Sequence, residues 1–220
     1  GGGFVRPGEI SLAHRGVLFL DEVPEFPRYL LESLRQPLED RTMTIARASG
    51  TFTFPANFIL VGAMNPCPCG FEGDKSKKCI CSMKEKTTYK KKLSGPFLDR
   101  IDLYVGMRRL TFEEMRSKTS YDLNTLYGQI LRARLVQKKR YGNPVHLNSN
   151  LSPHEIESAC ELGASSLNLL KHAMDEFHLS ARGYSRVLKV ARTIADMLGE
   201  ETIQEDHLLE ALKFRIIPFP

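Results

Sequence analysis

The sequence has 220 residues, 42% of them hydrophobic and 26% charged, with a formal charge of +5. This composition excludes a disordered or collagen-like chain, and without a long apolar run the sequence shows neither a signal peptide nor a membrane span. Mild basicity alone does not establish nucleic-acid binding, and five cysteines, four of them between Cys67 and Cys81, fit a metal site in a reducing cytoplasm better than a secreted disulfide framework.

The chain opens on Gly1-Gly2-Gly3 rather than Met, so the natural protein is expected to start upstream. Gly1 to Ser11, with a turn at Pro7-Gly8, reads as the tail of a loop or hairpin. The sequence contains no G-x-x-x-x-G-K-[ST] loop, so the triple glycine is expected to be a flexible connection rather than a phosphate site. Next, Gly16-Val17-Leu18-Phe19-Leu20-Asp21-Glu22 predicts a buried strand of a mostly parallel sheet, with two carboxylates at its C-terminal edge. That edge is where open α/β sheets bind ligands. Nucleotide hydrolysis needs one carboxylate to hold Mg2+ and another to orient or deprotonate water, roles suited to Asp21 and Glu22 in that order. The same pattern also describes a core strand ending in a solvated acidic turn.

Pro27 suits a helix start, and Phe26, Leu30, Leu31, Leu34 and Leu38 recur at helical spacing up to Asp40, with Pro37 expected to end or kink the helix. The period then becomes two. Met43 and Ile45, a turn at Ala48-Ser49-Gly50, and Phe52 and Phe54 predict a hairpin. Its Arg41 and Arg47 are either DNA phosphate contacts or solvated side chains. A second buried strand is expected over Asn57 to Ala63, ending at Asn65, which would either hydrogen-bond the attacking water or shape the turn before Pro66.

Cys67-Pro68-Cys69 and Cys79-Ile80-Cys81 can surround a structural Zn2+ with four thiolates; reduced structural thiols or two oxidisable pairs are the alternatives. Cys160, on an apolar helix face, is expected in a core. Lys75, Lys77, Lys78, Lys84, Lys86, Lys90, Lys91 and Lys92 form the most basic stretch, read either as solvated surface or as a nucleic-acid contact. Leu93 to Leu103 predicts a short helix leading into a third strand, Leu103 to Val105. Arg100 between them is placed to project into a neighbouring subunit's nucleotide site, or to pair locally with Asp99 or Asp102. From Thr111 the pattern is helical. Leu123, Leu126, Tyr127, Ile130, Leu131 and Leu135 make an apolar stripe, and Ser152 to Glu155 and Thr202 to Glu205 read as capping boxes. Ser180 opens a helix ending at Gly199, with Arg182 and Arg186 as its candidate nucleotide contacts.

Taken together, four stretches resemble the magnesium-chelatase-like AAA+ proteins, in the ComM (YifB) competence-protein branch. They are Gly8 to Glu22, Asn65 to Gly70, Leu93 to Leu103, and Ser180 through Asp196. The resemblance implies an α/β fold: a partial AAA+ core of P-loop NTPase type with a parallel sheet and a β-hairpin insertion over 1–110, followed by an all-α lid domain over 111–220. It makes Asp21 and Glu22 the Walker B pair, Asn65 sensor 1, Arg100 the arginine finger and Arg182 the sensor 2 arginine. It likens the Arg41 to Phe54 hairpin to the pre-sensor 1 hairpin that faces DNA. It implies ATP and Mg2+ as cofactors, DNA and a homohexamer as partners, no membrane, and an ATP-driven DNA helicase promoting branch migration during natural transformation. The alternatives are a chelatase-type motor remodelling a protein, and a non-catalytic, zinc-ordered nucleic-acid-binding module. In the resemblance, the Walker A loop lies upstream of Gly1, together with a strand between those of Asn57 to Ala63 and Leu103 to Val105. This piece alone is therefore expected to be inactive.

Overall fold

The computed structural model describes residues 6–48, 50–74, 76–117 and 121–215. The expected Gly1-Gly2-Gly3 connection, Ser49 of the hairpin turn and Lys75 of the basic stretch lie outside them. The fold is mixed α/β, in two units that meet between Ile101 and Asp102. This division falls before the boundary at 110 expected from sequence. Residues after Ile101 are tied to the helices: Arg186 pairs with Asp102, and the Tyr104 amide donates to the Phe214 carbonyl at 2.7 Å.

In the first unit, α1 (Glu9–Leu12) precedes β1 (Val17–Leu20), which pairs in parallel with β4 (Ile59–Gly62) from Val17 opposite Ile59 to Leu20 opposite Gly62. Both ends of the pair are fastened. At the start, His14 Nδ1 accepts the Asn57 amide at 3.1 Å and the Arg15 amide donates to the Asn57 carbonyl. Beyond the far end, the Ala63 amide donates to Leu20 and the Val23 amide to Ala63. Because side chains alternate across a strand, Leu18, Leu20 and Leu60 pack towards Val23, Leu31, Leu34, Leu93 and Phe97. Val17, Phe19, Ile59 and Val61 take the other face, where Phe19 is 59% and Ile59 65% exposed. Among the described residues the two strands are thus covered on one face only, where fully buried strands were expected.

The helix predicted up to Asp40 is two helices, α2 (Arg28–Ser33) and α3 (Arg35–Asp40), broken at Leu34. Pro37 explains the position of the break: it has no amide to donate to Ser33 four residues back, and so sits in the first turn of a new helix. The hairpin forms as expected, β2 (Thr42–Arg47) against β3 (Gly50–Pro55). The cysteine loop follows β4 and runs into α4 (Met83–Lys90), opened by a Ser82/Glu85 capping box, and then into α5 (Gly95–Leu98). The expected strand at Leu103 to Val105 does not form. Of its amides, the Tyr104 N–H goes to an α-helical end rather than to a neighbouring strand.

The second unit is helical: α6 (Phe112–Arg116), α7 (Leu123–Tyr141), α8 (Pro153–Ala159), α9 (Ala164–Glu176), α10 (Ala181–Leu198) and α11 (Glu205–Lys213). Ser152 caps α8 in a capping box with Glu155, Ser180 caps α10, and Gly199 ends α10 with φ 86°. The cap of α11 is Gln204, whose amide donates to His207 Nδ1, and not Thr202; the Thr202 hydroxyl instead accepts from the Gln204 side chain. The apolar core includes Leu170, Val187, Leu188, Ala191 and Leu208. Cys160 belongs to it, and burial pushes its thiol up to about 11. The α7 stripe remains exposed, with Leu123 at 73% and Leu135 at 66%; the buried residues of that helix are Ala133 and Gln137.

A polar knot joins α7 and α10. Asp196, fully buried, accepts from Arg140 (2.5 and 2.9 Å), from Arg192 Nε (3.1 Å) and from Asn148 Nδ2 (2.9 Å). Arg192 also donates to the carbonyls of Glu200 and Glu201, which closes the chain over the end of α10. Removing one member of such a knot strands a buried charge, which costs more than the pair contributes. Asp196→Ala is expected to destabilise the helical unit by about 3–5 kcal/mol, read as an earlier urea transition followed by far-ultraviolet circular dichroism.

Candidate active site and metal centre

The parallel register brings the ends of β1 and β4 together, so the acidic pair and Asn65 emerge from one edge of the sheet. Asp21 and Glu22 are both exposed. The Asp21 carboxylate accepts the Glu22 amide at 2.9 Å. Glu22 itself has φ 50° and ψ 46°, a left-handed conformation that costs a non-glycine residue on the order of 1 kcal/mol. The turn is held in that shape by the Glu25 amide on the Glu22 carbonyl and by the Val23 amide on Ala63. Gly62 is required beside it: a Cβ there would come within 2.9 Å of the Val23 side chain. Asn65 is exposed, and its side-chain oxygen would lie 3.8 Å from a Cβ built on Gly70, whose φ of 77° shapes the following turn. Two oxygen-donor side chains and one amide therefore share the edge, a set suited to Mg2+ and an attacking water.

The four clustered cysteines converge. All four sulfurs lie within 4.8 Å of one another, with Cys67–Cys69 at 3.5 Å, Cys69–Cys79 at 3.6 Å and Cys67–Cys79 at 3.7 Å. A tetrahedron of thiolates around Zn2+ has edges of about 3.8 Å, given Zn–S bonds near 2.3 Å, so the cluster has the dimensions of a zinc site. Its protonation behaviour agrees. Backbone amides of Ile80 and Phe71 hold the Cys69 thiol down to about 6, whereas burial and the neighbouring sulfurs push Cys81 up to about 12. Four adjacent thiols do not all ionise without a cation among them. The loop is fastened to α4 by Glu72, which pairs with Lys86 (3.0 Å) and Lys90 (3.4 Å). Burial opposes ionisation of Glu72, but the Lys86 hydrogen bond and the charges of Lys90 and Lys86 outweigh it and hold the carboxyl below its usual range.

The basic candidates are scattered. Arg41 is half-buried at the base of the hairpin and Arg47 exposed near its tip, roughly 20 Å apart along an extended strand. Lys90 is engaged by Glu72 and Lys92 by Glu25 at 3.1 Å, while Lys91 is exposed. In the second unit, Arg182 is exposed and Arg186 is paired with Asp102.

Arg100 is held inside the first unit. Expected to project, it is 6% exposed, and its guanidinium pairs with Glu39 (2.9 Å) and donates to the Arg35 (3.1 Å) and Pro96 (2.6 Å) carbonyls. Its carboxylate partner is thus Glu39, in place of the expected Asp99 or Asp102. A guanidinium able to fill three acceptors at once makes a good interior strut between α3 and α5, and action as a finger would require its release from these partners. Sequence reasoning also passed over Glu72 and the buried Tyr89. Neither carries a motif, although Tyr89 stands out as an aromatic within a lysine-rich helix.

Residues 1–115 match the family model for magnesium chelatase subunit ChlI, and residues 122–215 that for the ChlI C-terminal region. The chain belongs to the magnesium-chelatase-like AAA+ family. Its relatives include competence protein ComM of Haemophilus influenzae, 43% identical over 98% of this chain and 42% of that protein. YifB of Escherichia coli is 41% identical over 99% of this chain and 42% of its own length. Magnesium-chelatase subunit ChlI of Cyanophora paradoxa is 22% identical over 94% of this chain and 53% of its own. These relatives place the chain in the ComM branch of the family. The chain spans about two fifths of the length of the ComM-type relatives it matches.

The Arg100 assignment has a direct check. Arg100→Ala leaves Glu39 and two carbonyls without their donor, and is expected to destabilise the first unit by about 3 kcal/mol. Arg100→Lys should recover only part of that loss, because an ammonium cannot reproduce the planar fork. Chemical denaturation of the two variants beside the parent measures both effects.

Proposed function

We propose that this chain is part of an ATP-driven hexameric motor of the ComM type, a DNA helicase that promotes branch migration while incoming DNA is integrated during natural transformation. The observation that carries the reading is the shared edge of β1 and β4, with Asp21, Glu22 and Asn65 emerging from paired parallel strands. The ComM relationship supports the choice of motor. Asp21 would hold Mg2+, whose charge screens the phosphates and polarises their oxygens. Glu22 orients the attacking water and takes its proton, while the Asn65 side chain hydrogen-bonds that water or a γ-phosphate oxygen. Arg182 and Arg186 are the nucleotide-contacting arginines of the second unit. For Arg186 that role requires release from Asp102. Arg41, Arg47 and Lys90 to Lys92 contact DNA phosphates, with exposed Arg47 and Lys91 contributing most. The phosphate-cradling loop is not among these residues, so the full-length protein is the active form.

The magnesium chelatase family descriptions favour a second reading, a chelatase-type motor that remodels a protein partner. DNA separates the two. In the full-length protein, DNA is expected to stimulate ATP hydrolysis, with affinity falling steeply as salt rises. Glu22→Gln should abolish turnover while nucleotide binding, measured by calorimetry, stays near the parental value. Hydrolysis indifferent to DNA favours the chelatase reading. A wild-type protein that binds DNA without turnover fits a non-catalytic module.

Cys67, Cys69, Cys79 and Cys81 hold a structural Zn2+ in this reading, and the closed thiolate set leaves no open position for chemistry. Elemental analysis of protein purified without chelator is expected to find about one zinc per chain. Its removal should expose residues 67–81 to proteolysis, since metal binding supplies much of the ordering free energy of such a loop.

A further inference from the structure

Beside the strand edge lies a groove that nucleotide hydrolysis leaves without a task. One wall is the single turn Val23–Glu25 with the residues that follow it, and the other is the end of α4. Its volume is about 400 Å³, within the range of clefts that hold small molecules. The apolar wall consists of Pro24, Phe26 and Pro27, with Phe26 36% exposed. That wall is fixed: the Glu25 amide donates to the Glu22 carbonyl at 2.7 Å and the Phe26 amide to the Val23 carbonyl at 3.2 Å, while the two prolines restrict the chain further. Lys92 reaches both carboxylate oxygens of Glu25 at 3.1 Å and so ties the walls together. The charge of the groove is unbalanced. Of its described lining residues only Glu25 is acidic, and Lys92 neutralises it. Glu32, one turn along α2 from Arg28, is taken by Arg35 at 2.6 Å. Arg28 and Lys91, one on each wall and both exposed, form no ion pair among the described residues. Next to Arg28, Tyr29 is 72% exposed.

We propose that this groove binds single-stranded DNA, with one unstacked base against Phe26 and the prolines and its flanking phosphates on Arg28 and Lys91. The inference rests on the DNA reading of the basic stretch and names the form of DNA that it takes. An exposed aromatic ring beside unpaired cations is the usual means of holding a strand without regard to its sequence. A duplex satisfies the two cations but not the apolar wall, because its stacked bases present only their edges. An acidic side chain likewise meets the cations alone and leaves the ring of Phe26 uncovered. Thr88 adds a hydroxyl to the same cleft, able to donate to a phosphate oxygen.

Binding of a fluorescent oligodeoxythymidylate to the full-length protein tests the groove. Phe26→Ala is expected to weaken that binding about tenfold, the worth of one stacked base, while affinity for a duplex stays within about twofold of the parent. Arg28→Gln should lower the slope of log affinity against log salt by about 0.7, one phosphate's share for a single strand. Thermal midpoints beside the parent establish that each variant is folded. A readout that needs no variant is photocrosslinking: an oligonucleotide carrying iododeoxyuridine should attach to the wild-type peptide that contains Phe26 and Tyr29. Absence of that crosslink, or parental strand affinity in folded Phe26→Ala, overturns the inference, and duplex binding by the wild type then leaves the DNA reading intact. Equal losses on strand and duplex in Phe26→Ala also overturn it, since the ring would then only support a charged surface. Binding of poly-L-glutamate that Phe26→Ala weakens, beside strand binding that it does not, overturns it in favour of an acidic peptide. A full-length wild type that binds neither strand nor duplex overturns both the groove and the DNA reading.

Discussion

The parallel pairing of Val17–Leu20 with Ile59–Gly62 is the constraint on which the first unit depends. Parallel strands cannot be joined by a tight turn, so the chain between them must leave the sheet and return. Here the excursion contains α2, α3 and the hairpin, and its return delivers Asn65 to the edge where Asp21 already lies. Pairing fixes this arrangement to within one residue, since a slip of one would turn Leu18, Leu20 and Leu60 away from the core. Burial of those three leucines, worth about 1.5–3 kcal/mol each when complete, thus selects the register. The register in turn selects which polar residues meet.

Charges buried in the two units serve similar ends. Arg100 links α3 to α5, and Arg192 with Arg140 links α10 to α7 and to the segment after Gly199. Each guanidinium is satisfied by carboxylates and carbonyls together. A bare ion pair would not repay the desolvation of both partners, but a planar donor that also fills orphan carbonyls at helix ends removes several penalties at once. Such arginines contribute specificity of packing as well as stability. They also limit what a sequence motif can be taken to mean, because the same residue type at a helix terminus serves equally as a strut and as a reaching finger.

Much of the architecture was legible in the sequence for identifiable reasons. Four apolar residues before Asp21, the period-two hairpin, the Ser152 and Ser180 caps and the Gly199 terminus each rest on local chemistry, and local chemistry survives folding. The misses are non-local. Leu103 to Val105 has strand composition, but a strand requires a neighbour to take its amides. Val17, Phe19, Ile59 and Val61 look buried because hydropathy cannot report that one face of a sheet is uncovered. The pairing of Arg100 with Glu39 was not foreseen because the distance from a loop to Glu39 is not encoded in spacing. The proximity of the four cysteines was anticipated by their clustering, whereas the pairing of Glu72 with Lys86 and Lys90 was invisible, being a meeting of the cysteine loop with a helix that begins only after it.

The lysine-rich stretch gains a meaning that its composition alone left open between solvated surface and phosphate contact. Four thiolates around one divalent cation, as proposed for the cysteine cluster, would leave a net charge of about −2 in a partly buried place, and that charge would require compensation. Lys86 is positioned to supply it: the Glu72 hydrogen bond raises its affinity for a proton most, and the fields of Cys79 and Cys67 add to the effect. Lys77 lies over the Phe71 ring at 4.1 Å, folded back onto the loop rather than extended away from it. Part of the positive charge is therefore internal to the knuckle, and only the remainder, Lys91 foremost, is at liberty to meet an external phosphate. A count of lysines overstates the charge available to an external phosphate, because Glu72, Glu25 and the cysteine loop draw on the same residues.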